Sequence, residues 1–282
     1  MSTLLEPFQY EFFQRALIVA TVSGALCGLL GMYVVLRGMS YIGHGLSHAI
    51  FGGAVASYIV GINVFVGAGL WGLLTALFIN RVARGRTIGA DAAIGVITSA
   101  SFAIGIILIS VQRTFVVNFE ALLWGNVLGV APIDVAVIGL VALCTSAFVF
   151  TNYRRLLFST FDPEVADVSG VRTGRVDLLL ALALTATIAA TMNVLGVTMI
   201  AAILVIPPVI ARLLTDSFGR MLWISVAVGT ICGFVGVYGS YYLDWSSGGT
   251  VVLTAGGLFL LAFVWSELRG RRLPATPSID VH

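Results

Sequence analysis

One apolar run after another, each about as long as a helix that crosses a bilayer, leaves this chain few folds to adopt. The runs cover roughly residues 15–36, 41–60, 63–80, 90–111, 133–152, 176–193, 196–214, 219–242 and 249–266. They are continuous, not alternating, which argues against the two-residue period of a membrane barrel and for helices. With 59% hydrophobic and 10% charged residues and a mean hydropathy of +1.04, the chain lies far outside the range of soluble domains. The expected fold is all-α, a polytopic transmembrane helix bundle of about nine spans, roughly eight to ten because the break within 176–214 is short. The first run is long enough to span and shows no clear small-residue cleavage site, so it reads as a span and not a cleaved leader.

The 32 glycines suit a bundle, since small residues let helices approach closely in lipid. Gly24-Ala25-Leu26-Cys27-Gly28 and Gly229-Thr230-Ile231-Cys232-Gly233 are accordingly read as packing faces. Cys27, Cys144 and Cys232 fall in apolar runs without paired spacing and read as small core residues, not as a disulfide framework or zinc knuckle. Ile206-Pro207-Pro208-Val209 interrupts an apolar run. The two prolines remove two donors, so a kink is expected, either lining a pathway or bending the helix for packing.

The polar segments set the topology. Pro7 to Arg15 mixes aromatic and polar groups and reads as an interfacial helix. Asn118 to Gly129, with Leu123-Trp124-Gly125-Asn126 inside it, is too short to cross and too apolar for an open loop, which fits a re-entrant helix on the outer side. Glu120 there either meets an incoming cation or sits at a helix start favoured by the macrodipole. Asp91, the main carboxylate near a span, reads as a helix-start cap. Arg81, Arg84 and Arg86, Arg154, Arg155, Arg172 and Arg175, Arg212 and Arg220, and Arg269, Arg271 and Arg272 fall on one side if the spans alternate, and that side is cytoplasmic by the positive-inside rule. Nine spans then place the N-terminus outside, with a single transmembrane domain over residues 1–268 and a cytoplasmic tail over 269–282. Between Thr151 and Arg175, on the cytoplasmic side, stands a compact helix signature: Asp162 as N-cap, Pro163 at the first helical position, Glu164 near the positive dipole end and Gly170 as terminator. It is either an ordinary surface helix or a docking helix for a partner.

Two of the three histidines, His44 and His48, stand one helical turn apart inside an apolar run. A rise of about 1.5 Å per residue puts His44 about 6 Å and His48 about 12 Å into a span that begins near Ser40. Ionisable groups at that depth usually mark a pathway, and two imidazoles at this spacing can share a metal ion. The alternative is a pair of neutral rings bonded to backbone carbonyls between helices. Gly45, Gly52 and Gly53 keep the surroundings narrow, which favours the metal reading, and the Ser47 hydroxyl is placed to support His48. Two histidines cannot close a tetrahedral site, so a second copy across a two-fold axis, or water, would complete it. An incomplete site suits an ion that must be released as well as bound.

Enzymatic readings lack their parts. All fifteen basic residues are arginine, and without lysine there is no P-loop. The residues between His44 and His48 supply no glutamate base, and no nucleophile elbow is present. The chain is therefore read as a non-enzyme.

Val34 to Ala49, the Leu123-Trp124-Gly125-Asn126 box, Phe161-Asp162-Pro163-Glu164 and Ile206-Pro207-Pro208 together resemble, in order and over nearly the whole chain, the permease subunits of ABC importers for manganese, zinc or iron. The resemblance implies a homodimeric, multi-pass permease of the bacterial inner membrane with a pathway along the dimer axis. It implies a pair of cytoplasmic ABC ATPase subunits that hydrolyse the ATP, an extracytoplasmic metal-binding protein, and no nucleic acid. It further implies that no cofactor is permanently bound and that the divalent metal is a transient substrate. His48 matches the histidine of the family's Asp-x-x-x-His pathway motif, while His44 stands where many members carry Asp and Gly52 where many carry Pro. Nitrogen in place of a hard oxygen ligand favours zinc or iron over manganese in principle. Asp162 to Gly170 matches the family's ATPase-coupling region. Two other readings stay open: a permease for a chelated metal or cobalamin-like cofactor, and a secondary transporter driven by an ion gradient.

Overall fold

The computed structural model describes residues 5–83, 90–111, 125 and 129–270. Among these there is no strand. The helices are α1 (Glu11–Leu36), α2 (Tyr41–Val60), α3 (Val64–Ala83), α4 (Ala90–Val111), α5 (Pro132–Thr151), α6 (Tyr153–Phe161), α7 (Pro163–Val168), α8 (Thr173–Leu195), α9 (Val197–Leu214), α10 (Phe218–Leu243) and α11 (Ser247–Leu268). Each of the nine expected apolar segments falls on one long helix. Six of these are long and apolar enough to cross a membrane: Glu11–Leu36, Ala92–Val111, Pro132–Thr151, Thr173–Met192, Phe218–Leu243 and Ser247–Leu268. The re-entrant segment apart from Gly125 and Gly129, its Glu120, and the tail from residue 271 lie outside the described residues, as does the Asp91 side chain.

The N-terminus departs from expectation. Residues Glu6–Gln9 form a single 3-10 turn, Tyr10 is extended, and Glu11 already opens α1. The Glu11–Arg15 ion pair, one turn apart, supports that start. Phe13 is buried and meets Tyr238 and Tyr241 of α10 edge-on, at 6.3 and 5.3 Å between ring centres. This contact draws the segment into the bundle as the first turns of α1, where a separate interfacial helix was expected.

The most extensive packing joins α1 and α10, antiparallel and nearly backbone to backbone. Gly24 faces the Gly229 carbonyl and Gly229 faces the Gly24 carbonyl, both too close to admit a Cβ. One turn away on either side, Gly28 lies against Ser225, whose hydroxyl donates to the Gly28 carbonyl at 2.7 Å, and Gly233 lies against Ala20. The two small-residue motifs thus pack against each other.

Helix α9 runs through both prolines without a break. Pro207 and Pro208 are buried. Pro208 has no N–H to offer the Leu204 carbonyl four residues back. Gly31 of α1 comes up against that carbonyl and the Pro208 ring. The packing alternative for the proline pair therefore has its contact, made possible by the glycine on the facing helix.

The end of α1, helix α6 with Arg154 and Arg155, the start of α8 with Arg172 and Arg175, and the start of α10 with Arg220 meet at one arginine-rich end of the bundle. Phe218 at the start of α10 meets Tyr33 of α1 and Tyr153 and Phe161 of α6 there, at ring-centre distances of 5.7, 5.7 and 6.0 Å. Helix α6 was not foreseen as an element. It is amphipathic, placing Leu156 and Ser159 inward and Arg154 and Arg155 outward.

Candidate functional site

Helix α2 carries both histidines on one face. His44 is exposed and His48 half-buried, and their rings meet edge to face with centres 4.4 Å apart. Phe102 of α4 closes the other side of His48 at 4.7 Å, with its ring at 68°. The buried Nδ1 of His48 has no hydrogen-bond partner among the described residues. A histidine held only for packing would be expected to satisfy that atom. The Ser47 hydroxyl does not support His48; it donates to the His44 carbonyl at 2.9 Å, within its own helix turn. The described residues contain no group of three or more His, Cys, Asp and Glu side chains able to hold a metal ion.

The packing of α2 beside the histidines is set by missing side chains. A Cβ on Gly45 would lie 2.7 Å from Ile94 and Thr98 of α4, and one on Gly52 would lie 2.5 Å from the Ser101 carbonyl. Gly53 receives the Trp71 side chain of α3, and Gly105 of α4 closes on Gly52. These glycines seat α3 and α4 against the histidine helix. A polar clasp adds to this: Trp71 Nε1 donates to Ser101 Oγ at 2.6 Å, and Ser101 Oγ donates to the Ala49 carbonyl at 3.4 Å, joining three helices one residue beyond His48. Ser101→Ala strands the Trp71 donor and is expected to cost about 1 kcal/mol, typical of interhelical hydrogen bonds in membranes. The measurement is a lowered thermal midpoint of the purified protein in detergent.

At the arginine-rich end the short helix α7 forms as its sequence requires. The Asp162 carboxylate accepts from the Val165 N–H at 3.0 Å as N-cap, Pro163 follows, and Gly170 adopts φ +82°, a left-handed turn that a side chain would strain. Glu164 is exposed in the first turn, and Val168 is 91% exposed. Asp167 accepts from the Thr173 hydroxyl at 2.7 Å, tying the far end of α7 to the start of α8. Beside it lies a cavity of about 600 Å³ lined in part by Arg37, Glu164, Asp167, Thr173 and Asp177. Sequence reasoning missed Arg37 as a member of this end. It is an arginine just past an apolar run, and no acidic residue near it in sequence points to the partners it finds.

Residues 9–266, nearly the whole chain, match the ABC 3 transport family. The chain belongs to that family. Its relatives include the manganese transport system membrane protein MntC of Halalkalibacterium halodurans, 37% identical over 93% of this chain and 89% of that protein. The chelated iron transport system membrane protein YfeC of Yersinia pestis is 34% identical over 96% of this chain and 92% of its own length. Among solved structures, PsaBC from Streptococcus pneumoniae in complex with Fab superposes with a TM-score of 0.84, at 32% identity, over 93% of this chain and 95% of that one. With six apolar helices of crossing length among the described residues, this ABC 3 family member is a multi-pass membrane permease.

Proposed function

We propose that the chain imports a divalent transition-metal ion, manganese, zinc or iron, as the permease of a binding-cassette transporter whose ATPase is a separate pair of cytoplasmic subunits. The observation that carries this reading is the edge-to-face His44–His48 pair, with a His48 Nδ1 that has no partner among the described residues. Two copies related by a two-fold axis would bring two such pairs to one pathway, making up the ligands that a single protomer lacks. In this reading all nine long helices cross the membrane, the arginine-rich end is cytoplasmic, and an extracytoplasmic metal-binding protein delivers the ion from the other side. Helix α7 is the docking helix for the ATPase, supported by its exposed Glu164 and by the apolar surface of Val165 and Val168. The test is uptake of manganese(II), zinc(II) and iron(II) into vesicles holding the permease with its ATPase and binding protein. ATP-dependent accumulation of one of them is expected; accumulation without the ATPase would instead indicate a gradient-driven carrier.

A chelated cargo is a second reading, favoured by the likeness to YfeC. It would be indifferent to both histidines.

Asp162→Ala combined with Glu164→Ala removes the cap and the exposed acid of α7. The expected result is a fall of about tenfold in metal transported per ATP hydrolysed, within the usual range of coupling energies. Transport-coupled turnover at the unaltered level would remove α7 as the docking site.

A further inference from the structure

We infer that Arg37 is a positioning residue for transport, the link through which movement of α7 reaches the helix that carries His44 and His48. The inference rests on the reading of α7 as the docking helix and of the histidines as a pathway site. Arg37 stands in the turn between α1 and α2 with its side chain only 10% exposed. Its guanidinium reaches two elements at once: Nε donates to Thr160 Oγ1 at 3.1 Å, Nη2 to Ser159 Oγ at 2.8 Å, and Nη1 to Asp177 Oδ1 at 2.6 Å.

Both ends of α7 lead to these partners. Asp162, its cap, follows the last turn of α6, where Ser159 and Thr160 sit. At the other end, Asp167 holds Thr173 at the start of α8, and Asp177 lies one turn further along the same helix. The two routes close on one side chain. From there the backbone leads into α2 through a turn with little slack: the Met39 N–H donates to the Val34 carbonyl at 3.0 Å, the Ile42 N–H to the Met39 carbonyl at 2.9 Å, and Gly38 is held at φ +67°. Phe161 offers another contact, to Phe218, but Phe218 begins α10, which carries neither histidine. A planar guanidinium can hold three acceptors in fixed directions, which lysine cannot.

The test uses the complete transporter in vesicles, with whichever of manganese(II), zinc(II) or iron(II) the unaltered protein accumulates, and reads metal taken up per phosphate released. Arg37→Gln is expected to assemble with the ATPase and hydrolyse ATP while this ratio falls about tenfold. Arg37→Lys, which can keep the Asp177 pair but not the fork to α6, is expected to lie between. An unaltered ratio in Arg37→Gln overturns the inference. Should that variant fail to assemble, Ser159→Ala with Thr160→Val keeps the ion pair and cuts only the link to α6; a fall of about threefold supports the inference, and no change overturns it. Failure of the unaltered transporter to move any of the three metals defeats the proposed function itself, and an unchanged ratio on altering Asp162 and Glu164 removes α7 as the docking helix. A coupled wild type with insensitive Arg37 variants defeats this inference alone.

Discussion

Replacing His48 by alanine is expected to bring metal accumulation down to background while leaving the transporter assembled. The ring is half-buried, wedged between His44 and Phe102, and its Nδ1 has no partner among the described residues to lose. Loss of packing with Phe102 costs stability, but no hydrogen bond from Nδ1 to a described residue is broken, so the fold should survive. Transport should not. Residues that merely support a metal ligand change affinity about 10- to 100-fold, so removal of a ligand is expected to lower uptake by roughly 100-fold or more. Uptake in vesicles, read beside the amount of ATPase copurifying with the variant, separates the two effects. Unchanged uptake with normal assembly would take the histidine pair out of the pathway and turn attention to a chelated cargo.

Gly229→Ala is expected to have the largest effect on stability. The new methyl group would meet the Gly24 carbonyl, and both sides of that clash are backbone, so no flexible side chain can yield. Helices α1 and α10 would have to separate, giving up the Ser225 bond to the Gly28 carbonyl and the neighbouring contacts. Overpacking of this kind costs about 1–3 kcal/mol, and a rigid obstacle on both sides places it at the upper end. Gly239→Ala, on the same helix with nothing near the added carbon, is the control. It should be neutral or slightly stabilising, since alanine is the better helix former. Thermal midpoints of the two purified variants decide; equal midpoints would show that the helices have room to spare.

What could be read from the sequence was local. Each apolar run became one helix because length and composition suffice to specify it, and α7 formed because Asp162, Pro163 and Gly170 do their capping within a few residues. The N-terminal turns were misjudged because Phe13 owes its burial to Tyr238 and Tyr241, which lie at the far end of the chain. Arg37 and Asp177 are 140 residues apart, and no pattern in either neighbourhood announces the other. Ser47 was a different kind of miss: a helical serine ordinarily returns its hydroxyl to a carbonyl three or four residues back, so the bond to His44 was available from local chemistry. The spacing of His44 and His48 placed both on one face, but the closing ring of Phe102 depends on how α4 packs.

The helix that holds the histidines is not one of the six apolar enough to cross a membrane on their own account. Its imidazoles and glycines make it a poor candidate for release into lipid as a single segment. During synthesis such a segment gains more from its neighbours than from the bilayer, so its integration should await Glu11–Leu36 before it and Val64–Ala83 after it. The same polar content that equips α2 for its cargo thus makes its birth a collective event, and truncations ending just past Val60 should be the ones a cell's quality control removes first.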